Sequence, residues 1–236
     1  IPQRIGAAVL LLKDVLGILA IGYFASRSHH QALLADALLV SPQTSPELVP
    51  AIERAKIRLQ VEPVQVFIVP NKILNAYTFG MGSPKAIVLH SALFQIMDRD
   101  ELQFIIGHEL GHVDLGHTWL NTLIGGMAGI PSSVGAAAIL ELAFRSWNRA
   151  CEYSADRAGV LACNKPQKAI TALIKLEAGS DARSQAGIQR AIQRIDAQDD
   201  DPFNSLSELL ATHPLIIKRI EQIRTFTASD HSQRLQ

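Results

Sequence analysis

The sequence is short of most features that would assign it quickly to a class. It has no charge imbalance: 22 basic and 22 acidic residues leave a formal net charge of zero. That removes the basic excess expected of a nucleic-acid binder. The longest run of like charge is Asp199-Asp200-Asp201, which reads as a solvated loop. Only two cysteines are present, Cys151 and Cys163, and neither sits in a CxxC pair. Two cysteines do not build a disulfide framework, and both are expected to be small buried apolar residues in a reducing compartment. Internal repeats and low-complexity tracts are absent. What remains is an apolar chain of 236 residues, 48% hydrophobic and 19% charged. That is long enough for one sizeable core plus an extension.

Two stretches are apolar enough to raise the question of a membrane. Residues 5–25 are long enough to cross a bilayer. Lys13 and Asp14 lie in the middle, however, at about 2.5–3.5 kcal/mol each at a bilayer centre. The expectation is an N-terminal apolar helical segment over 1–40, packed on the protein or else embedded in or lying on a membrane, followed by one domain over 41–236. The second stretch, Trp119 to Trp147, is broken by glycines and Pro131. It is too short for two full spans and reads as two short helices or a re-entrant hairpin.

Between these stretches the periodicity changes. Ser45-Pro46-Glu47 opens a helix that runs to about Leu59. Val64–Val69, Asn75–Phe79 and Ala86–His90 read as strands, with a turn at Gly80–Pro84, and suggest a small antiparallel sheet or meander. Ser91 to Met97 is short and helical. A longer helix starts at Asp98-Arg99-Asp100-Glu101, whose acidic residues suit a first turn. Further helices are expected through about Ala162, over Gln167–Ala178 and over Pro214–Phe226. The polar 181–205 stretch reads as partly loop.

The chemistry is concentrated in His108-Glu109-Leu110-Gly111-His112. Histidines four apart on a helix share a face one turn apart, so both imidazoles can reach one metal. Glu109 projects at a different angle, near enough to serve as base to a metal-activated water without ligating. A catalytic zinc takes three protein ligands and keeps one position open. His117 is five residues past the second histidine, out of register for a metzincin, and on a continuing helix it points away from the metal. It is expected behind the ligands or at the surface. Glu152 and Asp156, four apart, form the better pair: one could bind zinc while the other accepts the free N–H of a ligand histidine. Solvated acid pairs at this spacing are common, and spacing alone does not decide between the two readings.

HELGH followed about 40 residues later by Glu152-Tyr153-Ser154-Ala155-Asp156 resembles the HtpX-like and CAAX prenyl endopeptidase family of zinc metallopeptidases. Asn75-Ala76-Tyr77-Thr78-Phe79-Gly80, Asp100-Glu101-Leu102 and Thr212-His213-Pro214 with Arg219-Ile220 add to the likeness, which covers roughly residues 45 to 225. The resemblance implies a mainly helical α+β gluzincin with a small antiparallel sheet beside the HExxH helix. It implies one Zn2+ held by His108, His112 and Glu152, with Asp156 orienting a ligand histidine and Glu109 as the catalytic base. It also implies peptide or protein substrates lying along an edge strand at Asn75, Ala76 and Tyr77. His213 is expected to cap or pack, to stabilise an oxyanion, or to latch the fourth metal position. The rival reading is a metal-containing, chaperone-like module that binds unfolded or membrane proteins without cutting them, against which an intact Glu109 argues.

Overall fold

The computed structural model describes residues 34–80, 83–118, 135–199 and 214–229, with scattered helical positions between 13 and 32. Four strands form one sheet: β1 (Leu38–Leu39), β2 (Val64–Val69), β3 (Ala76–Phe79) and β4 (Lys85–His90). The helices are α1 (Val49–Leu59), α2 (Leu93–Ile96), α3 (Arg99–Asp114), α4 (Gly135–Cys163), α5 (Pro166–Ala178), α6 (Gln185–Asp199) and α7 (Ile216–Thr227). The expected class, α+β and mainly α with a small sheet beside the motif helix, is what is observed.

The sheet differs from the expected antiparallel meander in one respect. Its order is β1-β2-β4-β3, and β2 and β4 run parallel, in register from Val64 opposite Lys85 to Val69 opposite His90. The β3–β4 hairpin is antiparallel, as its turn requires, but it folds back so that β4 inserts between β2 and β3. The reason lies in composition. Ala86-Ile87-Val88-Leu89 is apolar at every position and buried at every position, which suits a central strand covered on both faces. β3 is left at the edge. The opposite edge is β1, antiparallel to β2, so the sheet draws on residues within the expected N-terminal segment.

α3 runs through the centre of the molecule. Asp98 caps it, accepting from the Asp100 and Glu101 N–H groups, while the Glu101 carboxylate accepts the Asp98 N–H at 2.8 Å. This reciprocal pair satisfies two of the helix's orphan donors. From Glu101 to Val113 every residue is buried, because the sheet, α1, α4 and α5 all pack on this helix. Its closest neighbour is α4, and the seam is made of small residues. A Cβ added at Gly107 would meet Ala162 Cβ at 2.3 Å, and one at Gly111 would meet Ala158 Cβ at 2.6 Å. Glycine is needed here for close helix approach rather than for an unusual backbone.

Two further expectations change. The 185–199 stretch is a helix rather than loop; its polar composition reflects a narrow buried stripe at Ala191 and Ile195 with exposed residues around it. The chain also does not continue helically from His112 to His117. α3 ends at Asp114, and Gly116 turns the chain at φ 72°. Cys151 and Cys163 are free and buried, as expected. Among the described residues no helix is long and apolar enough to cross a membrane. Most of 1–33 and all of 119–134, including Pro131, lie outside the described residues.

Candidate metal centre

His108 and His112, one turn apart on α3, turn their Nε2 atoms toward each other at 3.1 Å. Glu152, from α4, completes a triangle: its Oε2 is 3.7 Å from His108 Nε2 and its Oε1 is 3.6 Å from His112 Nε2. All three side chains are buried, and they are the group of the described residues able to hold a metal ion. Ligands about 2.0–2.1 Å from a tetrahedral ion stand roughly 3.3 Å apart. The His108–His112 edge lies close to that spacing and the two Glu152 contacts are somewhat longer, so the donor set suits a first-row dication such as zinc. Two imidazoles and one carboxylate leave one tetrahedral position free.

The rings are held from behind, and differently. His108 Nδ1 lies 3.0 Å from Asp156 Oδ1. Asp156 is fully buried and accepts a two-pronged bond from Arg219, Nε to Oδ2 at 2.8 Å and Nη2 to Oδ1 at 2.6 Å. The third guanidinium nitrogen reaches Glu152 Oε2 at 3.3 Å. One arginine of α7 therefore anchors Glu152 and Asp156 of α4. His112 Nδ1 instead faces His117 Nδ1 at 3.0 Å, with the His117 ring edge-on to Trp147. Of the two places expected for His117, behind the ligands or at the surface, the buried one is observed.

The electrostatics follow from burial. Desolvation pushes the Glu109 carboxyl above the usual range; the nearby His108 and the Thr78 hydroxyl oppose this without reversing it. Desolvation and the neighbouring His108 hold His112 down at about 3. At His108 desolvation is outweighed by the Asp156 hydrogen bond, and the ring rises above its ordinary value. Desolvation would raise Asp156 too, but Arg219 holds it below. Three buried carboxyl groups, Glu109, Glu152 and Asp156, cluster here with the buried Arg219 guanidinium. Buried carboxylates are costly unless they are paired or bind a metal. A dication at the triangle would add positive charge among them.

The remaining expected residues are placed as follows. Asn75, Ala76 and Tyr77 enter and form the edge strand beside α3. Asn75 O accepts the His90 N–H, so Asn75 is paired inward to β4 rather than facing the open edge. His213, for which capping, oxyanion and latch roles were expected, lies outside the described residues. Two residues in contact with the centre were not singled out from sequence as part of it: Arg219 and Thr78. Arg219 belongs to a C-terminal segment that carries part of the family likeness, but its contacts with Asp156 and Glu152 become visible only when α7 is placed against α4. Thr78 donates to Glu109 Oε2 at 2.5 Å.

Comparison with known proteins agrees with this picture. Residues 42–227 match the model of Peptidase family M48. The chain is similar to the Protease HtpX homolog of Pyrococcus abyssi, 27% identical over 232 residues and covering 80% of this chain and 76% of that one. It is also similar to the chloroplastic Plastoglobule-localized metallopeptidase 48 of Arabidopsis thaliana, 26% identical over 239 residues, with 93% and 70% covered. Among solved structures, S. mikatae Ste24p shares the fold with a TM-score of 0.57 at 19% identity, over 92% of this chain and 57% of that one. The resemblance drawn from HELGH and Glu-Tyr-x-Ala-Asp is thereby borne out.

Proposed function

The chain belongs to peptidase family M48 and is a protease acting on peptide or protein substrates; within that activity we propose that it is a zinc-dependent endopeptidase whose base is Glu109. The observation that carries this reading is the convergence of His108, His112 and Glu152 donor atoms in one buried site. Two imidazoles and a carboxylate with one open position suit catalytic zinc better than a structural site, which would be closed by four ligands. When bound, zinc would supply Lewis acidity to a water and to the substrate carbonyl.

The chain's own residues do the rest. Glu109, whose carboxyl burial holds above its usual range, takes a proton from the attacking water at a carboxylate oxygen and returns it to the leaving amine nitrogen. Asp156 holds the His108 ring in the tautomer whose Nε2 lone pair faces the centre. Arg219 fixes Asp156 and Glu152 relative to one another. An extended substrate pairs with the open edge of β3 through main-chain hydrogen bonds.

The test is digestion of casein and a peptide library with purified protein whose metal content has been measured. One zinc per chain, internal cleavages, loss of activity with chelator and recovery with zinc are expected. Binding of unfolded chains with no chelator-sensitive cleavage would select the chaperone-like reading instead.

A further inference from the structure

β3 does two things at once. In an antiparallel pair, successive residues point their main-chain N–H and C=O alternately toward and away from the partner strand. The His90 N–H to Asn75 O bond, with Ala76 opposite Leu89 and Thr78 opposite Ile87, fixes the phase. Asn75, Tyr77 and Phe79 aim at β4; Ala76 and Thr78 aim at the open edge, where among the described residues no further strand pairs. The Thr78 side chain leaves the sheet toward α3. Its hydroxyl lies 2.5 Å from Glu109 Oε2 and 3.3 Å from Glu109 O. One hydroxyl proton serves one acceptor well, and the shorter contact, to the carboxylate, is the stronger. A β-branched residue in a strand has little χ1 freedom, so the hydroxyl's position is tied to the backbone that carries it.

We propose that Thr78 is a positioning residue that couples docking of an extended substrate on β3 to alignment of the Glu109 carboxylate. The proposal rests on the reading of Glu109 as base and β3 as substrate edge. The same residue offers its main chain to the incoming strand and its side chain to the base. A substrate long enough to pair with Thr78 therefore immobilises the donor that orients Glu109 Oε2, leaving Oε1 to face the water. A peptide too short to reach Thr78 binds without that constraint. Remote binding interactions are in this way spent on the chemical step, and truncation lowers kcat as well as raising KM.

The test uses the zinc-loaded full chain, a long extended peptide and a truncated one sharing the same cleaved bond, and the variants Thr78→Val and Thr78→Ser. Valine keeps shape and main chain and removes the donor. For the long peptide, Thr78→Val is expected to lower kcat about tenfold, the scale of a lost hydrogen bond to a charged group. KM should stay within about twofold and zinc content should not change, because the edge and the ligands are intact. Thr78→Ser should restore most of the loss. The kcat advantage of long over short peptide, present in the wild type, should largely vanish in Thr78→Val. An unchanged kcat in Thr78→Val, a loss lying entirely in KM or zinc content, no rescue by serine, or a length advantage that survives the valine would each overturn the coupling. A wild-type chain without chelator-sensitive cleavage would overturn the functional reading and the coupling together.

Discussion

The two ends of α3 bury acidic residues in opposite ways. At the N-terminus Glu101 is 2% exposed, yet every demand on it is met: it accepts from the Asp98 N–H, from the Thr171 hydroxyl at 2.9 Å and from the Lys175 ammonium at 2.6 Å. Around it Lys165 pairs with Asp100 and Lys168 with Asp98. Charge is balanced locally. At the C-terminal end Arg219 reaches Glu152 and Asp156, Thr78 reaches Glu109, and two imidazole Nε2 atoms face each other. Burial of charge alone therefore does not mark a reactive site. The N-terminal cluster is closed and ties helices together; the C-terminal cluster brings together three donor groups able to hold a metal ion.

The sharpest way to break that comparison is to remove one charge at each end. Glu109→Gln keeps shape and packing and should lower cleavage by roughly 10²–10⁴-fold, the range of a lost general base. Folding and metal stoichiometry should hold, as measured by thermal melts and metal analysis. Cleavage surviving at wild-type rate would remove Glu109 from the chemistry. Lys175→Ala should do the reverse. It strips Glu101 of its cation and should cost about 3–5 kcal/mol in denaturant unfolding, as breaking a buried pair does. Zinc per folded chain should remain unchanged. A metal loss in Lys175→Ala without loss of stability would show that the two ends are not separate in function.

The helix that joins them was the most legible part of the sequence. The Asp98 to Glu101 spacing marked its start, and the two histidines marked its working face. The strands were legible from their β-branched runs, and the buried run Ala86–Leu89 is the strand that became central. Pairing direction was not, because local composition does not say whether β4 lies beside β2 or only beside β3. The Glu152–Asp156 pair was ambiguous by spacing and acquires meaning only when α4 is pressed against α3. That approach depends on glycines and alanines, which leave no polar or periodic signal of their own. Arg219 and Thr78 lie in segments that carry the family likeness, but they act through contacts about 60 and 30 residues away in sequence, respectively, which local spacing does not reveal. The 185–199 helix was hidden by its own solvent exposure.

The seam between α3 and α4 gives a third and milder test. Gly107→Ala places a methyl 2.3 Å from Ala162 Cβ and 3.0 Å from Gly159 Cα, so the helices must part. Overpacking of this kind costs about 1–3 kcal/mol. Unlike Lys175→Ala, it should also weaken zinc, because parting the helices moves Glu152 away from the histidines. A stability loss with unchanged zinc affinity would mean that the triangle adjusts independently of the seam.

The smallest expected effect separates the two histidines. His108 is backed by an anion that is itself held by Arg219, whereas His112 is backed by a neutral ring, His117, at 3.0 Å. Burial keeps His117 below its ordinary pKa, which favours the neutral form needed to accept from His112 Nδ1–H. His117→Phe retains the edge-on ring contact with Trp147 and removes the acceptor. Loss of a partner behind a metal-ligating histidine costs 10–100-fold in affinity, and a neutral partner places this variant at about tenfold, measured by competition with a chromophoric chelator. Asp156→Asn, which removes a charge rather than a neutral acceptor, should fall nearer the upper end. Equal losses in the two variants would mean that the rings are oriented by geometry alone and that the arginine-backed carboxylate adds nothing beyond a hydrogen bond.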